Sequence, residues 1–310
     1  MKPVPSTKVD TSVVIAGIRL ANPVLAASGT YGYGTEYRGL SRPSDFGAVI
    51  TKTVTLEHRA GNPPPRICET PAGMLNSIGL ANVGIERFLA EKLPALRRSG
   101  TVIFANIAGK SLEEYARLAA ILDQASGISA VEVNVSCPNV ARGGIAFGAD
   151  PPLAARLTKA VRCACRKPII VKLSPNVSDM VPIAKAVAGA GADALSLINT
   201  LYGLAIDIQK RRPLLGNDTG GLSGPAIRPV ALYHVYRVSR AVKIPVIGLG
   251  GILSADDAIQ FLLAGASAVQ IGTANFVDPA APGKIVKGLI SYCRLHGLNS
   301  VRELTGWLAS

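Results

Sequence analysis

Eight short apolar runs, rich in β-branched residues and separated by amphipathic stretches, limit what this chain can fold into more than any other feature of its sequence. They cover residues 23–26, 48–52, 102–106, 131–135, 169–173, 194–198, 245–249 and 268–271. Runs without strict polar alternation suit strands buried on both faces, which is the condition of a parallel sheet covered by helices. Eight such strands, each followed by helix-forming sequence, predict an α/β fold of the (β/α)8 TIM barrel type. A hairpin is expected ahead of the first run, over 12–15 and 18–20 with its turn at Ala16 and Gly17, where it could plug one end of the barrel.

Capping signals mark the intervening helices. Ser111 stands three residues before Glu114, Asp150 directly precedes Pro151, and Ser254 stands three residues before Asp257. Two helices end alike, with Gly191 and Gly265 suited to their C-terminal turns. Three connections after strands are long, at 53–84, 136–150 and 199–224. Long loops on the carboxyl face of a barrel are where substrate walls and lids belong. Neither a linker nor a shift in composition divides the chain, so residues 1–310 are expected to form one domain.

Composition removes several classes of function. With 48% hydrophobic and 17% charged residues, the chain has ample core-forming material and is not a disordered one. Its five cysteines include no Cys-x-x-Cys pair, and no secretory leader is read at its start, so free thiols in the cytoplasm are expected. The apolar stretch 181–198 is interrupted by Lys185 and Asp193, which argues against a membrane span. The net charge of +13 permits capture of a small anion or of nucleic acid. The basic clusters Arg97-Arg98 and Lys210-Arg211-Arg212 are short, however, and at 5% aromatics there is little for bases to stack on, so a solvated basic surface is the preferred reading.

The strand ends carry the chemistry. Ser28, Lys52, Asn106, Asn134, Lys172 and Asn199 place polar groups on the rim, and two lysines near its middle call for an anionic ligand. Gly248, Gly250 and Gly251 follow the seventh strand, and Gly272 with Thr273 follows the eighth, where barrels often bind phosphate; the same glycines would also serve simple tight turns. Cys137 lies just past the fourth strand, between Asn134 and Asn139, with Gly143 and Gly144 beyond it. Its thiol, with an ordinary pKa of about 8.5, could act as a base in a site that places positive charge nearby. Cys68, Cys163, Cys165 and Cys293 are expected to be buried small hydrophobes outside any metal-ligand spacing. Asn76, Ser77, Ile78, Gly79 and Leu80, together with Asn199 and Thr200, offer the mixed donors and acceptors that suit a pyrimidine edge, although asparagine and serine also favour turns.

In these residues, and over nearly its whole length, the chain resembles the class 1 dihydroorotate dehydrogenases, and within them the class 1B catalytic subunits. The resemblance rests on Lys52-Thr53, the Asn76–Leu80 motif, Asn134 through Cys137 to Asn139, Asn199-Thr200, Gly220 through Gly224 to Pro225, Gly250-Gly251 and Gly272-Thr273. Cys137 marks class 1, because serine stands there in the membrane-associated class 2 enzymes.

The resemblance implies an FMN-containing barrel. FMN would touch Ser28, Lys52, Thr53, Asn106, Asn134, Lys172, Ile198, Gly224, Gly250, Gly251, Gly272 and Thr273. Dihydroorotate or orotate would be held by Lys52, Asn76, Ser77, Ile78, Gly79, Leu80, Asn134, Asn199 and Thr200. Cys137 would take the C5 proton while hydride leaves C6 for the flavin, with Lys52 stabilising developing negative charge.

The chain lacks both an iron–sulfur cysteine spacing and a Gly-x-Gly-x-x-Gly turn, so it is not expected to bind NAD in a Rossmann domain itself. The resemblance to class 1B implies that electrons reach NAD+ through a partner subunit carrying FAD and a [2Fe–2S] cluster. A homodimer associated with that subunit is the implied assembly, with neither nucleic acid nor membrane as partner. The segment from Leu201 to Asp207 and that from Gly220 to Pro225 favour class 1B over the fumarate-using class 1A. Other readings are a dihydropyrimidine dehydrogenase-like enzyme, a phosphate-gripping aldolase with Lys172 as Schiff base, and a non-catalytic nucleotide-binding barrel.

Overall fold

The computed structural model describes residues 8–37, 39–136 and 147–308. Its strands in chain order are β1 (Val13–Ile15), β2 (Ile18–Leu20), β3 (Val24–Ala26), β4 (Ala48–Ile50), β5 (Ile67–Thr70), β6 (Gly73–Asn76), β7 (Val102–Ile107), β8 (Ala130–Asn134), β9 (Ile169–Lys172), β10 (Ala194–Leu197), β11 (Leu201–Gly203), β12 (Ile206–Asp207), β13 (Arg212–Pro213), β14 (Gly220–Ser223), β15 (Val246–Leu249) and β16 (Ala268–Ile271). Eight of them, β3, β4, β7, β8, β9, β10, β15 and β16, pair in parallel and in that order into a closed barrel. These are the eight apolar runs, trimmed at their ends: β4 stops at Ile50, so Lys52 and Thr53 stand beyond it, and β8 stops at Asn134.

Helices cover the barrel as the capping signals require. Ser111 Oγ accepts from Glu114 N at the start of the helix Leu112–Gln124, and Asp150 Oδ1 accepts from Leu153 N at the start of Pro151–Ala164. Ser254 and Asp257 form a reciprocal capping box before Ala255–Leu263. Tyr115, Leu118 and Leu122 of the first of these helices are buried in one continuous core with the strands.

The hairpin β1–β2 turns through positive φ at Ala16 (50°) and Gly17 (79°), as a two-residue turn demands. Its Ile15 and Leu20 are fully buried, and Leu20 packs beside Gly47, at the amino end of β4. The hairpin therefore sits on the face opposite the strand ends that carry the polar residues.

The long connections differ from plain loops. The one after β4 contains the hairpin β5–β6, and the one after β10 contains β11 to β14; together they build a second sheet in the order β11-β14-β6-β5. Isolated hairpins are marginal in water, and pairing β6 with β14 gives each excursion a neighbour to hydrogen-bond. Cysteine burial departs from expectation too. Cys165 and Cys293 are buried, but Cys68 is half-buried on β5 and Cys163 is exposed on the outer side of its helix. Among the described residues, no helix is long and apolar enough to cross a membrane.

Candidate active site

The carboxyl ends of the barrel strands gather the polar residues into one crown. Lys172, the last residue of β9, is buried, and its Nζ lies 3.3 Å from Ser28 Oγ beyond β3. Burial holds its pKa below the ordinary lysine value, with the Glu132 charge opposing that shift. Lys52 is half-buried beyond β4 and is lowered mainly by burial, with Glu36 opposing and Arg66 adding to the shift. Both ammonium groups are thus short of compensating charge, the condition under which an anionic ligand is attracted.

Asn134 and Asn199 meet over the end of β9, which lies between their strands. Asn199 Nδ2 donates to Asn134 Oδ1 at 3.3 Å and to Ser136 Oγ at 2.9 Å, while Asn199 Oδ1 accepts from Thr200 N at 2.9 Å. The Tyr115 hydroxyl donates to the Asn134 carbonyl at 2.6 Å, which anchors the end of β8 to the helix behind it.

The second sheet brings the Asn76–Leu80 segment to the same face. Asn76, at the end of β6, donates from Nδ2 to the Gly221 carbonyl at 3.2 Å, and Gly221 packs against Thr200. Ser77 N donates to the Arg66 carbonyl at 2.7 Å, and Ser77 Oγ accepts from Asn62 at 2.8 Å. Ile78 accepts through its carbonyl from Asn62 N, and Gly79 and Leu80 turn the chain at positive φ.

On the other side of the mouth the glycines converge. Gly250 and Gly251 have φ of +130° and +75°; a Cβ on Gly251 would lie 2.8 Å from the Gly224 carbonyl oxygen, and one on Gly250 would lie 3.4 Å from Ile198. Thr273 Oγ1 donates to Ser223 Oγ at 2.9 Å, which joins the ends of β16 and β14 beside Gly272. Asn106 and Thr53 are buried near the ends of β7 and β4. Cys137, Asn139, Gly143 and Gly144 lie outside the described residues.

The strand-end reading overlooked several groups. Glu132 is fully buried inside the barrel and accepts from Asn106, Ser196 and Gln270. Asn176 links Ser174, Thr200 and Tyr202, and Glu36 supplies charge opposite Lys52. The signal for the first group was present: Glu132, Ser196 and Gln270 each interrupt the middle of an apolar run. Among the described residues, no cluster of three or more His, Cys, Asp or Glu side chains could hold a metal ion.

The family model described as dihydroorotate dehydrogenase matches residues 11–293. The chain belongs to the dihydroorotate dehydrogenase family. It is 57% identical over 301 residues to a protein of Geotalea daltonii, covering 97% of this chain and 99% of the relative. A Geobacter sulfurreducens protein matches with the same identity and coverage, and one from Geotalea uraniireducens is 56% identical over 301 residues. Each of these relatives is named dihydroorotate dehydrogenase B (NAD(+)), catalytic subunit. Membership makes the chain an oxidoreductase and sets aside the aldolase and the non-catalytic barrel.

Proposed function

We propose that this chain is the FMN-bearing catalytic subunit of an NAD+-linked enzyme that oxidises (S)-dihydroorotate to orotate in pyrimidine biosynthesis. The observation that carries the reading is the crown itself, in which two charge-short lysines, an asparagine pair and a glycine cradle face one barrel mouth. Near full-length similarity to relatives with the B-type name supports it over the fumarate-using and dihydropyrimidine-reducing alternatives.

The residues present fit FMN. Gly224, Gly250 and Gly251 pack so closely against Gly73, Ala231 and Arg228 that a Cβ would clash at each, so bare backbone runs together next to Gly272 and Thr273, and this suits a phosphate. Asn106 Oδ1 and Gln270 Oε1 are buried acceptors without partners, matching a ligand that brings N–H or O–H donors. Lys172 and Ser28 would hold the flavin ring, and bound FMN supplies an acceptor for the hydride that leaves C6.

The chain's own groups do the remainder. Lys52 binds the substrate carboxylate and stabilises negative charge as it develops. Asn134, Asn199 and the Asn76–Leu80 segment fix the ring by its amide edge, so that the C5 hydrogen is held toward one acceptor. Cys137 takes that C5 proton onto its sulfur and releases it to solvent afterwards. The catalytic-subunit name of the relatives supports a partner subunit, which would carry FAD and [2Fe–2S] and serve a homodimer of this chain.

The test is anaerobic mixing of the FMN-loaded chain with dihydroorotate. Bleaching of the yellow absorbance is expected, followed by reoxidation with NAD+ when a partner flavoprotein is added. A flavin that stays oxidised refutes the activity, and reoxidation by fumarate without a partner moves the chain to the fumarate-using class.

A further inference from the structure

We infer that Glu132 is a positioning residue of the cofactor site: by holding the amide N–H groups of Asn106 and Gln270, it fixes their carbonyl oxygens as acceptors for the bound flavin nucleotide. The inference rests on the FMN reading above and assigns a role to a residue that touches neither substrate nor flavin in that reading.

Barrel interiors are filled in layers by side chains from alternate strands, and bulky branched apolar residues dominate them. Here the fourth, sixth and eighth barrel strands contribute Glu132, Ser196 and Gln270 to one layer, all fully buried. A core that needed stability alone would not place a carboxylate there, because burial of that group is heavily penalised unless donors surround it.

The donors are specific. Oε1 of Glu132 accepts from Asn106 Nδ2 at 2.7 Å, and Oε2 accepts from both Ser196 Oγ at 2.9 Å and Gln270 Nε2 at 2.8 Å. Both oxygens of Glu132 accept in these bonds, so each amide turns its NH2 group toward the carboxylate. The two amide oxygens are then turned away from the carboxylate, and both are buried without a partner. Asn134 lies two residues beyond Glu132 on the same face of β8 and opposite Lys172 in register, so this layer sits about 7 Å beneath the crown.

Glu132→Gln tests the inference, because it keeps the shape but introduces an NH2 group that can donate to either amide oxygen and so releases Asn106 and Gln270 to turn. The apo chain is titrated with FMN and binding is read from quenching of flavin fluorescence, beside the melting curve of the apo chain and the absorbance spectrum of the bound flavin. A rise of about tenfold in the FMN dissociation constant, with a shifted flavin band and a cooperative apo melt, is expected for loss of one charge-assisted bond's worth of order. An FMN affinity within about twofold of the parent overturns the inference, whatever happens to the melting temperature. Should Glu132→Gln fail to fold, Gln270→Met removes one acceptor at similar volume while Glu132 keeps Asn106 and Ser196, and the same two results decide. A parent chain that binds no FMN refutes the cofactor reading and this inference together; a parent that binds while the variants match it refutes this inference alone.

Discussion

Lys172 Nζ stands 3.3 Å from Ser28 Oγ, a contact that spans the barrel mouth between its fifth and first strands. Strand neighbours could not make it, and it places the one buried ammonium of the crown over the middle of the opening. Because burial lowers the Lys172 pKa, the unfolded chain holds this proton more tightly than the folded one. Stability of the apo chain therefore rises with pH between the lowered folded value and the unfolded value of about 10.4. Urea unfolding of apo chain across that window is expected to show the slope, and Lys172→Met is expected to flatten it while weakening FMN binding about tenfold or more. An equal slope in parent and variant would remove Lys172 as its origin.

Lys52 must carry its charge to hold a carboxylate, and burial favours its neutral form. Orotate affinity is expected to fall as pH rises, beginning below the range of an exposed lysine. Glu36 opposes the lowering, so Glu36→Gln should move the onset to lower pH. Orotate titrations at a series of pH values check this, and an onset unmoved by the substitution contradicts it.

Gly251 and Gly17 both have positive φ, at 75° and 79°, but a Cβ on Gly251 meets the Gly224 carbonyl oxygen whereas one on Gly17 meets nothing within 4 Å. Gly251→Ala is expected to cost about 1–3 kcal/mol and to strip FMN from the purified chain. Gly17→Ala should cost about 1–2 kcal/mol, the backbone preference alone, and leave FMN content unchanged. Thermal melts and flavin content per chain distinguish the two.

Cys137→Ser replaces the proposed base with a hydroxyl that scarcely ionises at neutral pH. Flavin reduction by dihydroorotate is expected to slow about 10²–10⁴-fold with FMN retained. Stopped-flow traces that match the parent would exclude the thiol from proton removal.

The barrel was readable because its cause is local: apolar runs of strand length must be covered on both faces, and Ser111, Asp150 and Ser254 announce the helices that cover them. The strand-end residues followed from the barrel rule, which is why Ser28, Lys52, Asn134, Lys172 and Asn199 could be placed at the rim from the sequence. The second sheet was not readable. Its strands β6 and β14 are short, glycine-containing and separated by more than a hundred residues, so they gain their partners only when the barrel brings the two excursions together. Cys163 was misjudged for a related reason, since hydrophobicity predicts burial on average but the face of the helix decides it for each residue.

By itself, then, the sequence determined the periodicity of the chain, and with it the barrel, the carboxyl-end crown and the motifs that tie the chain to its family. The tertiary structure decided which distant polar groups meet: Lys172 with Ser28 across the mouth, Asn134 with Asn199, and Glu132 with Asn106, Ser196 and Gln270 inside the barrel. Strand propensity and capping act over a few residues, whereas pairing across a closed barrel depends on strand order and register, which come into being only when the last strand closes on the first.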